Sequence, residues 1–329
     1  MRLAIAGLKG HYGVAVQGLA KIKGGQLVAV ADDDAEGAAA LARSPVAASD
    51  FHVYEDWREM LDREEIDVLV EAGIDSERAE IVVAGLERGL PVLAEKPLAC
   101  DVEQLDCVEQ AVRASGACLS MLLTMRYEPL YIKLRQLVQD GAVGQVCLAS
   151  MQKSYRLGQR PAWQRDRRTF SGIIPFIGVH ALDLIVWTTG LRPRSGFAYQ
   201  ANTGHPQIGD MEDNAVVALE LEGGAHADIR LDYCRPAKAP THGDDRLRVA
   251  GGEGVIEAHG AEGSLVLVTN QREPEMIDLG QAKGDLLVEF VEAVRAGRPA
   301  PISAEEALAV TRWCLQLREG ARRAERVEF

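Results

Sequence analysis

The strongest constraint on the fold lies in the first 123 residues, where short apolar runs alternate with segments of helical period. The runs fall at 3–6, 27–31, 68–72, 92–94 and 118–123. A segment such as 79–88 sets Ile81, Val82, Gly85 and Leu86 along one side of a helix. Strands apolar on both faces and separated by helices pair in parallel, with the helices covering the sheet. The expected N-terminal architecture is therefore an α/β, doubly wound Rossmann sheet.

After residue 145 the period changes to two. The segments 213–221 and 225–233 alternate apolar and polar residues across Glu222-Gly223-Gly224, and shorter runs follow at 246–250, 254–258 and 264–268. That alternation fits a large, mostly antiparallel sheet with one face on a core and one facing water. His226, Asp228, Arg230 and Asp232 form its expected outward set. Near the end, Ser303-Ala304-Glu305-Glu306 reads as a capping box at a helix start, with Pro301 just before it. The expected division is a Rossmann domain at 1–123 and an α+β domain for substrate and assembly at 124–329, in keeping with 329 residues.

Composition narrows the partners. A net charge of −13 repels phosphate backbones, so nucleic acid is not an expected partner. No apolar stretch approaches a membrane span, so no membrane is expected either. The first residues enter a strand pattern without a leader, which points to the cytoplasm. The six cysteines form no C-x-x-C pair, which suits buried thiols and argues against a zinc or redox motif. His180, Asp183 and His242 lack any recognised ligand spacing, so no metal is expected.

Two turns carry chemistry. Gly7-Leu8-Lys9-Gly10-His11-Tyr12-Gly13 joins the first strand to the first helix. Pyrophosphate binds backbone N–H groups at a helix start, and small residues let it approach. The spacing is G-x-x-G-x-x-G, and Asp32 ends the second strand. A carboxylate there accepts from ribose hydroxyls and repels a 2′-phosphate, so NAD is expected over NADP. The second turn, Glu95-Lys96-Pro97, leaves a strand at the sheet edge where ligands bind in open α/β folds. A lysine at that edge can stabilise a developing alkoxide. It can equally be an exposed turn lysine. The Lys-Pro bond is one of the few that can be cis.

The chain resembles the glucose–fructose oxidoreductase / inositol dehydrogenase / MocA family nearly end to end. The resemblance rests on the glycine loop, on 66–70, and on Gly85-Leu86-Glu87-Arg88-Gly89 leading into Glu95-Lys96-Pro97. It continues through Arg126-Tyr127-Glu128-Pro129, 141–144, Gly178-Val179-His180-Ala181-Leu182-Asp183 and 248–254. It implies NAD(P)-linked oxidation or reduction of a sugar, inositol or related polyol, and a homodimer or homotetramer through the C-terminal sheet. It also implies cofactor contacts from Gly7, Gly10, Gly13, Asp32, Glu95 and Lys96.

His180 and Asp183 stand three apart on a helical run, so they share a face. A histidine can move a hydroxyl proton while a hydride leaves. Spacing alone fits a core histidine satisfied by Asp183. The resemblance implies that His180 is catalytic, and that Lys96 and His180 share the reacting oxygen where the two domains meet.

Asp183, Tyr155, Trp163 and His242 are candidate substrate contacts, with Arg156 beside them. Arg165, Arg167 and Arg168 read as a solvated basic cluster. The chain departs from the family at Phe176, where many members have an aspartate. It departs again at Gly73-Ile74 in place of Thr-Pro, and at Arg78 in place of a histidine. Two other functions fit the same residues: an NAD-dependent glycoside hydrolase, and a dinucleotide sensor without turnover.

Overall fold

A computed structural model describes residues 1–281 and 284–329. They divide into two units, 1–122 with 284–311, and 123–281 with 312–329.

In the first unit six parallel strands are ordered β3-β2-β1-β4-β5-β6. They are β1 (Arg2–Ala6), β2 (Gln26–Ala31), β3 (Ala47–Tyr54), β4 (Val68–Glu71), β5 (Val92–Ala94) and β6 (Leu119–Met121). Helices α1 (Tyr12–Leu19), α2 (Ala35–Ala42), α3 (Trp57–Arg63), α4 (Asp75–Glu87) and α5 (Val102–Ser115) alternate with them. Leu3, Ile5, Leu27, Leu69 and Leu93 are fully buried, each contributing ~1.5–3 kcal/mol. The order reverses direction between β1 and β4, the point at which such sheets open a crevice for ligands. Strand β3 had no apolar signal because it is an edge strand, on which Ala48 alone is buried.

The 284–311 segment packs on the first unit, although the sequence pattern groups it with the second. Its helix α8 (Leu286–Arg295) is capped by Asp285, which pairs with Lys21 at 2.7 Å. A Cβ on Gly18 of α1 would meet Leu287 at 2.7 Å, so the glycine lets α8 approach. Ser120 donates to the Ile302 carbonyl at 2.8 Å. The capping box at the start of α9 (Ala304–Arg323) is reciprocal: Glu306 N donates to Ser303 Oγ (3.2 Å) and Ser303 N donates to Glu306 Oε2 (2.9 Å).

The second unit is built on nine strands ordered β14-β13-β12-β11-β7-β10-β9-β8-β15. They are β7 (Val146–Tyr155), β8 (Pro193–Ala201), β9 (Asn214–Leu221), β10 (His226–Asp232), β11 (Gly243–Gly251), β12 (Gly254–His259), β13 (Ser264–Thr269), β14 (Arg272–Met276) and β15 (Val327–Glu328). All neighbours are antiparallel except β7 and β10. On β10, Ala227, Ile229 and Leu231 are buried, and His226, Asp228, Arg230 and Asp232 take the other face. Helices α6 (Pro129–Gln139) and α7 (Val179–Thr189) belong to the same unit. Among the described residues, no helix is long and apolar enough to cross a membrane. Burial holds for the Cys314 thiol alone; Cys107, Cys147 and Cys234 are exposed, since each sits on a helix or strand face turned to water or in a turn.

Candidate active site

In the first unit two carboxylates bracket the glycine loop. Asp32, at the end of β2, accepts from Leu8 N (2.6 Å), from Lys9 Nζ (2.7 Å) and from Asp34 N (2.7 Å). Glu95, after β5, accepts from His11 N at 2.5 Å and faces His11 Nδ1 at 2.8 Å. The three glycines do different work. Gly7 has φ +89°, and a Cβ there would strike the Gly73 backbone at 2.3 Å. A Cβ on Gly10 would lie 2.4 Å from Glu95 Oε2, so this glycine makes room for the carboxylate. Gly13, in the first turn of α1, has nothing within 4 Å of that position, which leaves space beside the helix start. A loop with open space at a helix N-terminus and a carboxylate at the end of β2 fits the adenosine pyrophosphate half of a dinucleotide.

Lys96 is 3% exposed, so the exposed turn lysine is ruled out. Its backbone N donates to Glu95 Oε1 at 2.9 Å, its Nζ lies 3.9 Å from the same oxygen, and the Lys96–Pro97 peptide is cis. Burial works against the Glu95 charge, but Lys96, His11 and Arg78 outweigh it and hold the carboxyl well below its usual range.

Beneath this turn lies a charge cluster that the sequence reading missed. Arg78, 1% exposed, donates to Glu71 Oε2 (2.9 Å), Asp75 Oδ1 (3.0 Å), the Pro97 carbonyl (2.8 Å) and the Gly73 carbonyl (2.8 Å). Glu71 also accepts from Gly73 N at 2.7 Å and Glu95 N at 3.3 Å. The turns after β4 and β5 are thus tied to one guanidinium. Burial lifts the Glu71 carboxyl to about 7, against the pull of Arg78 and Gly73 N and with a push from the Glu95 charge. The signal was present in Glu71 itself, a carboxylate ending an otherwise apolar strand.

In the second unit His180 is 7% exposed in the first turn of α7. A π-helical turn, Ile174–Gly178, leads into it, a form that recurs at functional sites. Phe176 on that turn packs against Phe170 (5.1 Å between ring centres) and Trp163 (6.0 Å), both near-perpendicular. The departure from the family aspartate is therefore an aromatic cluster, and Trp163 belongs to it.

Asp183, an expected substrate contact, is held by a cation of its own unit. It is 3% exposed and accepts from Arg126 through both oxygens, at 2.9 and 2.5 Å. A bidentate buried pair of this kind fastens α7 to the 124–127 turn.

Tyr155 and His242 come together elsewhere, stacked at 5.3 Å with an interplanar angle of 17°. Tyr155 Oη donates to Asp245 Oδ2 at 3.1 Å, and fully buried Lys153 donates to the same oxygen at 2.8 Å. The Tyr155 ring covers Gly243, where a Cβ would clash at 2.4 Å. Burial, then Arg160 and Arg156, lowers the His242 pKa and so favours the neutral ring. Lys153 and Asp245 were hidden by the strand alternation, which does not single out a buried cation. Arg168 pairs with Asp166 at the surface, and Arg167 with Glu212.

Comparison with known proteins places this geometry. Residues 1–123 match the model of an oxidoreductase family with an NAD-binding Rossmann fold, and residues 131–257 match the GFO/IDH/MocA C-terminal domain. Inositol 2-dehydrogenase 2 of Saccharopolyspora erythraea is 28% identical over 211 residues, 64% of this chain and 60% of that one. The match thus spans about 60% of that relative's length. A solved structure from Thermotoga maritima covers 100% of both chains at 28% identity, with a TM-score of 0.94. The aldose-aldose oxidoreductase of Caulobacter crescentus shares the fold, with a TM-score of 0.86 at 20% identity over 100% of this chain and 99% of that one. Both halves carry the same signature, and the chain belongs to the Gfo/Idh/MocA oxidoreductases, with a nicotinamide-dinucleotide-binding Rossmann domain.

Proposed function

We propose that this chain is a dehydrogenase or reductase acting on a hydroxyl or carbonyl of a cyclic polyol or sugar derivative, with NAD(H) as its cofactor. The observation that carries the reading is Lys96, buried at the C-terminal edge of β5 on a turn fastened to the glycine loop through Glu95. The S. erythraea relative, an inositol 2-dehydrogenase, supports the substrate class.

The glycine loop from Gly7 to Gly13 and Asp32 would hold the dinucleotide, which when bound supplies a hydride acceptor or donor. The Lys96 ammonium donates to the substrate oxygen and stabilises negative charge as it develops there. His180 takes the hydroxyl proton in oxidation and returns it in reduction. Glu95 keeps the Lys96 turn in register with the loop. Asp183 acts through Arg126 by holding α7 in place, so it is a positioning residue.

Phe176 gives a second reading its only support. Without the aspartate found in many relatives, the ring cluster with Trp163 and Phe170 fits a dinucleotide sensor that binds but does not turn over. Incubation of the chain with a panel of inositols, aldoses and their deoxy derivatives, followed at the nicotinamide absorbance with NAD and NADP, separates the two. Turnover of at least one polyol is expected. Tight dinucleotide binding without turnover of any compound would favour the sensor.

We also propose a homo-oligomer through the outer face of the nine-stranded sheet. Tyr199 is 68% exposed there and pairs in register with Val216, 49% exposed. Light scattering is expected to show a dimer or tetramer, and Tyr199→Glu to weaken it.

A further inference from the structure

One cluster in the second unit has no part in the chemistry above. Asp213 precedes β9, Cys234 follows β10, and His205 lies in the loop after β8. One ligand atom from each, an imidazole nitrogen, a carboxylate oxygen and Sγ, lies within 4.8 Å of the others. His205 Nδ1 and Asp213 Oδ2 are 3.0 Å apart. We propose that His205, Asp213 and Cys234 bind a single divalent cation of the Zn²⁺ class, with water completing a four-coordinate shell.

The donor set decides the class. Nitrogen, oxygen and sulfur together suit Zn²⁺ and its neighbours, whereas Mg²⁺ and Ca²⁺ take oxygen alone. Tetrahedral Zn²⁺ bonds place ligand atoms about 3.3–3.8 Å apart, so the His205–Asp213 pair would open slightly from 3.0 Å while Cys234 Sγ, within 4.8 Å of both, would close on it. Cys234 is exposed and can make that movement.

Asp213 is prepared for the part. It is fully buried, and its backbone is held on both sides, N to the Ala201 carbonyl (2.9 Å) and carbonyl to Tyr233 N (2.8 Å). Its carboxylate accepts from Thr203 N, Gly204 N and Asn214 Nδ2. These bonds orient the oxygens as outer partners of a metal ligand do. Its ion pair is with His205, a side chain charged only when protonated. A second carboxylate, Asp232, receives Cys234 N at 2.9 Å, so negative charge gathers around the thiol.

A hydrogen-bonded loop clasp accounts for Asp213 and His205. It does not account for the thiol at the same point. Gly204 has no positive φ, and a Cβ there would lie 2.9 Å from Asp213 Oδ2 and 3.7 Å from Cys234 Sγ, so the glycine lets the loop close on the carboxylate and keeps the side toward the thiol open. Bound metal would lock the 203–213 loop to the end of β10.

The test is a titration of the full chain, reduced and stripped of metal, with Co²⁺ alone. A saturable thiolate-to-cobalt charge-transfer band at one equivalent is expected, displaced by Zn²⁺, together with a rise in Tm. Cys234→Ser should abolish the band. His205→Ala and Gly204→Ala should each weaken Co²⁺ binding by roughly 10–100-fold or more, with unchanged circular dichroism. Absence of a saturable band in the wild-type chain overturns the proposal. So does a band undiminished in Cys234→Ser, because it would then arise from one of the other five cysteines.

Discussion

The turn carrying Lys96 and the helix start carrying His180 are supported in opposite ways. Around Lys96 the structure uses charge: Glu71, Asp75, Arg78 and Glu95 are all at most 2% exposed and are joined by hydrogen bonds to turn backbone. Around His180 it uses rings and one ion pair, with Phe170, Phe176 and Trp163 beside the π-helical turn and Arg126–Asp183 behind it. A buried charge network is rigid in geometry but sensitive to the loss of one member. An aromatic cluster tolerates more change, because no single contact carries an uncompensated charge. The two regions should therefore answer differently to mutation and to pH.

The largest effects should fall on turnover. Lys96→Ala removes the charge that stabilises an alkoxide and should cost roughly 10²–10³ in kcat. His180→Ala removes the proton-handling group and should cost on the order of 10²–10⁴. His180→Ala leaves the loop and Asp32 untouched, so its dinucleotide affinity measured by calorimetry should stay close to wild type, whereas Lys96→Ala, at an expected cofactor contact beside Glu95, should also weaken binding. Near-normal turnover by His180→Ala on a confirmed substrate would make this histidine a core residue.

Next in size is the stability of the charged region. Arg78→Ala leaves Glu71 and Asp75 buried without their cation and should cost ~3–5 kcal/mol in chemical denaturation. Phe176→Leu, the matching probe of the aromatic region, should cost less than half of that. Equal losses would erase the contrast between the two supports.

The pH dependence sharpens the same contrast. The Glu71 carboxyl is raised to about 7 in the folded chain, so between its unfolded value and 7 the native state binds more protons than the unfolded one. Stability from this group is complete below the unfolded carboxyl pKa and is lost as pH rises through 7. The Tm of the wild type should fall by several degrees between about pH 5 and pH 8, relative to Glu71→Gln, whose curve should be flatter there. Parallel curves for the two proteins would mean that Arg78 keeps Glu71 ionised throughout.

Both sheets were legible in the sequence because burial on two faces and burial on one face leave different periods. The Lys96 turn and His180 were legible only through resemblance, since spacing alone left a turn lysine and a core histidine open. What stayed hidden has a common cause. Lys153 with Asp245 and Glu95 with His11 are contacts between residues far apart in the chain, and Glu71–Arg78 crosses from a strand end to the helix after it. No periodicity records which buried charge meets which. The place of the 284–311 segment was not legible for a related reason: an amphipathic helix shows that it has a partner face, not whose face that is.

The smallest effect concerns cofactor choice, and it turns on one lysine in the glycine loop. Lys9 Nζ sits 2.7 Å from Asp32 Oδ1 and 2.7 Å from Asp33 Oδ1, with a quarter of its side chain exposed. Asp32 alone would repel a 2′-phosphate and accept from the ribose of NAD. Lys9 offsets that repulsion and occupies one of the oxygens, so the preference for NAD should be modest in the wild type. Lys9→Ala should widen the NAD-to-NADP affinity ratio by about threefold to fivefold, the scale of an exposed ion pair, while Asp32→Ala should narrow it. Both changes should shrink as salt is raised, because the groups are near the surface. Calorimetric titration of both dinucleotides against wild type and the two variants, at low and high salt, measures these ratios. If Lys9→Ala leaves the ratio where it was, the lysine only ties the loop to Asp32 and Asp33, and discrimination rests on Asp32 alone.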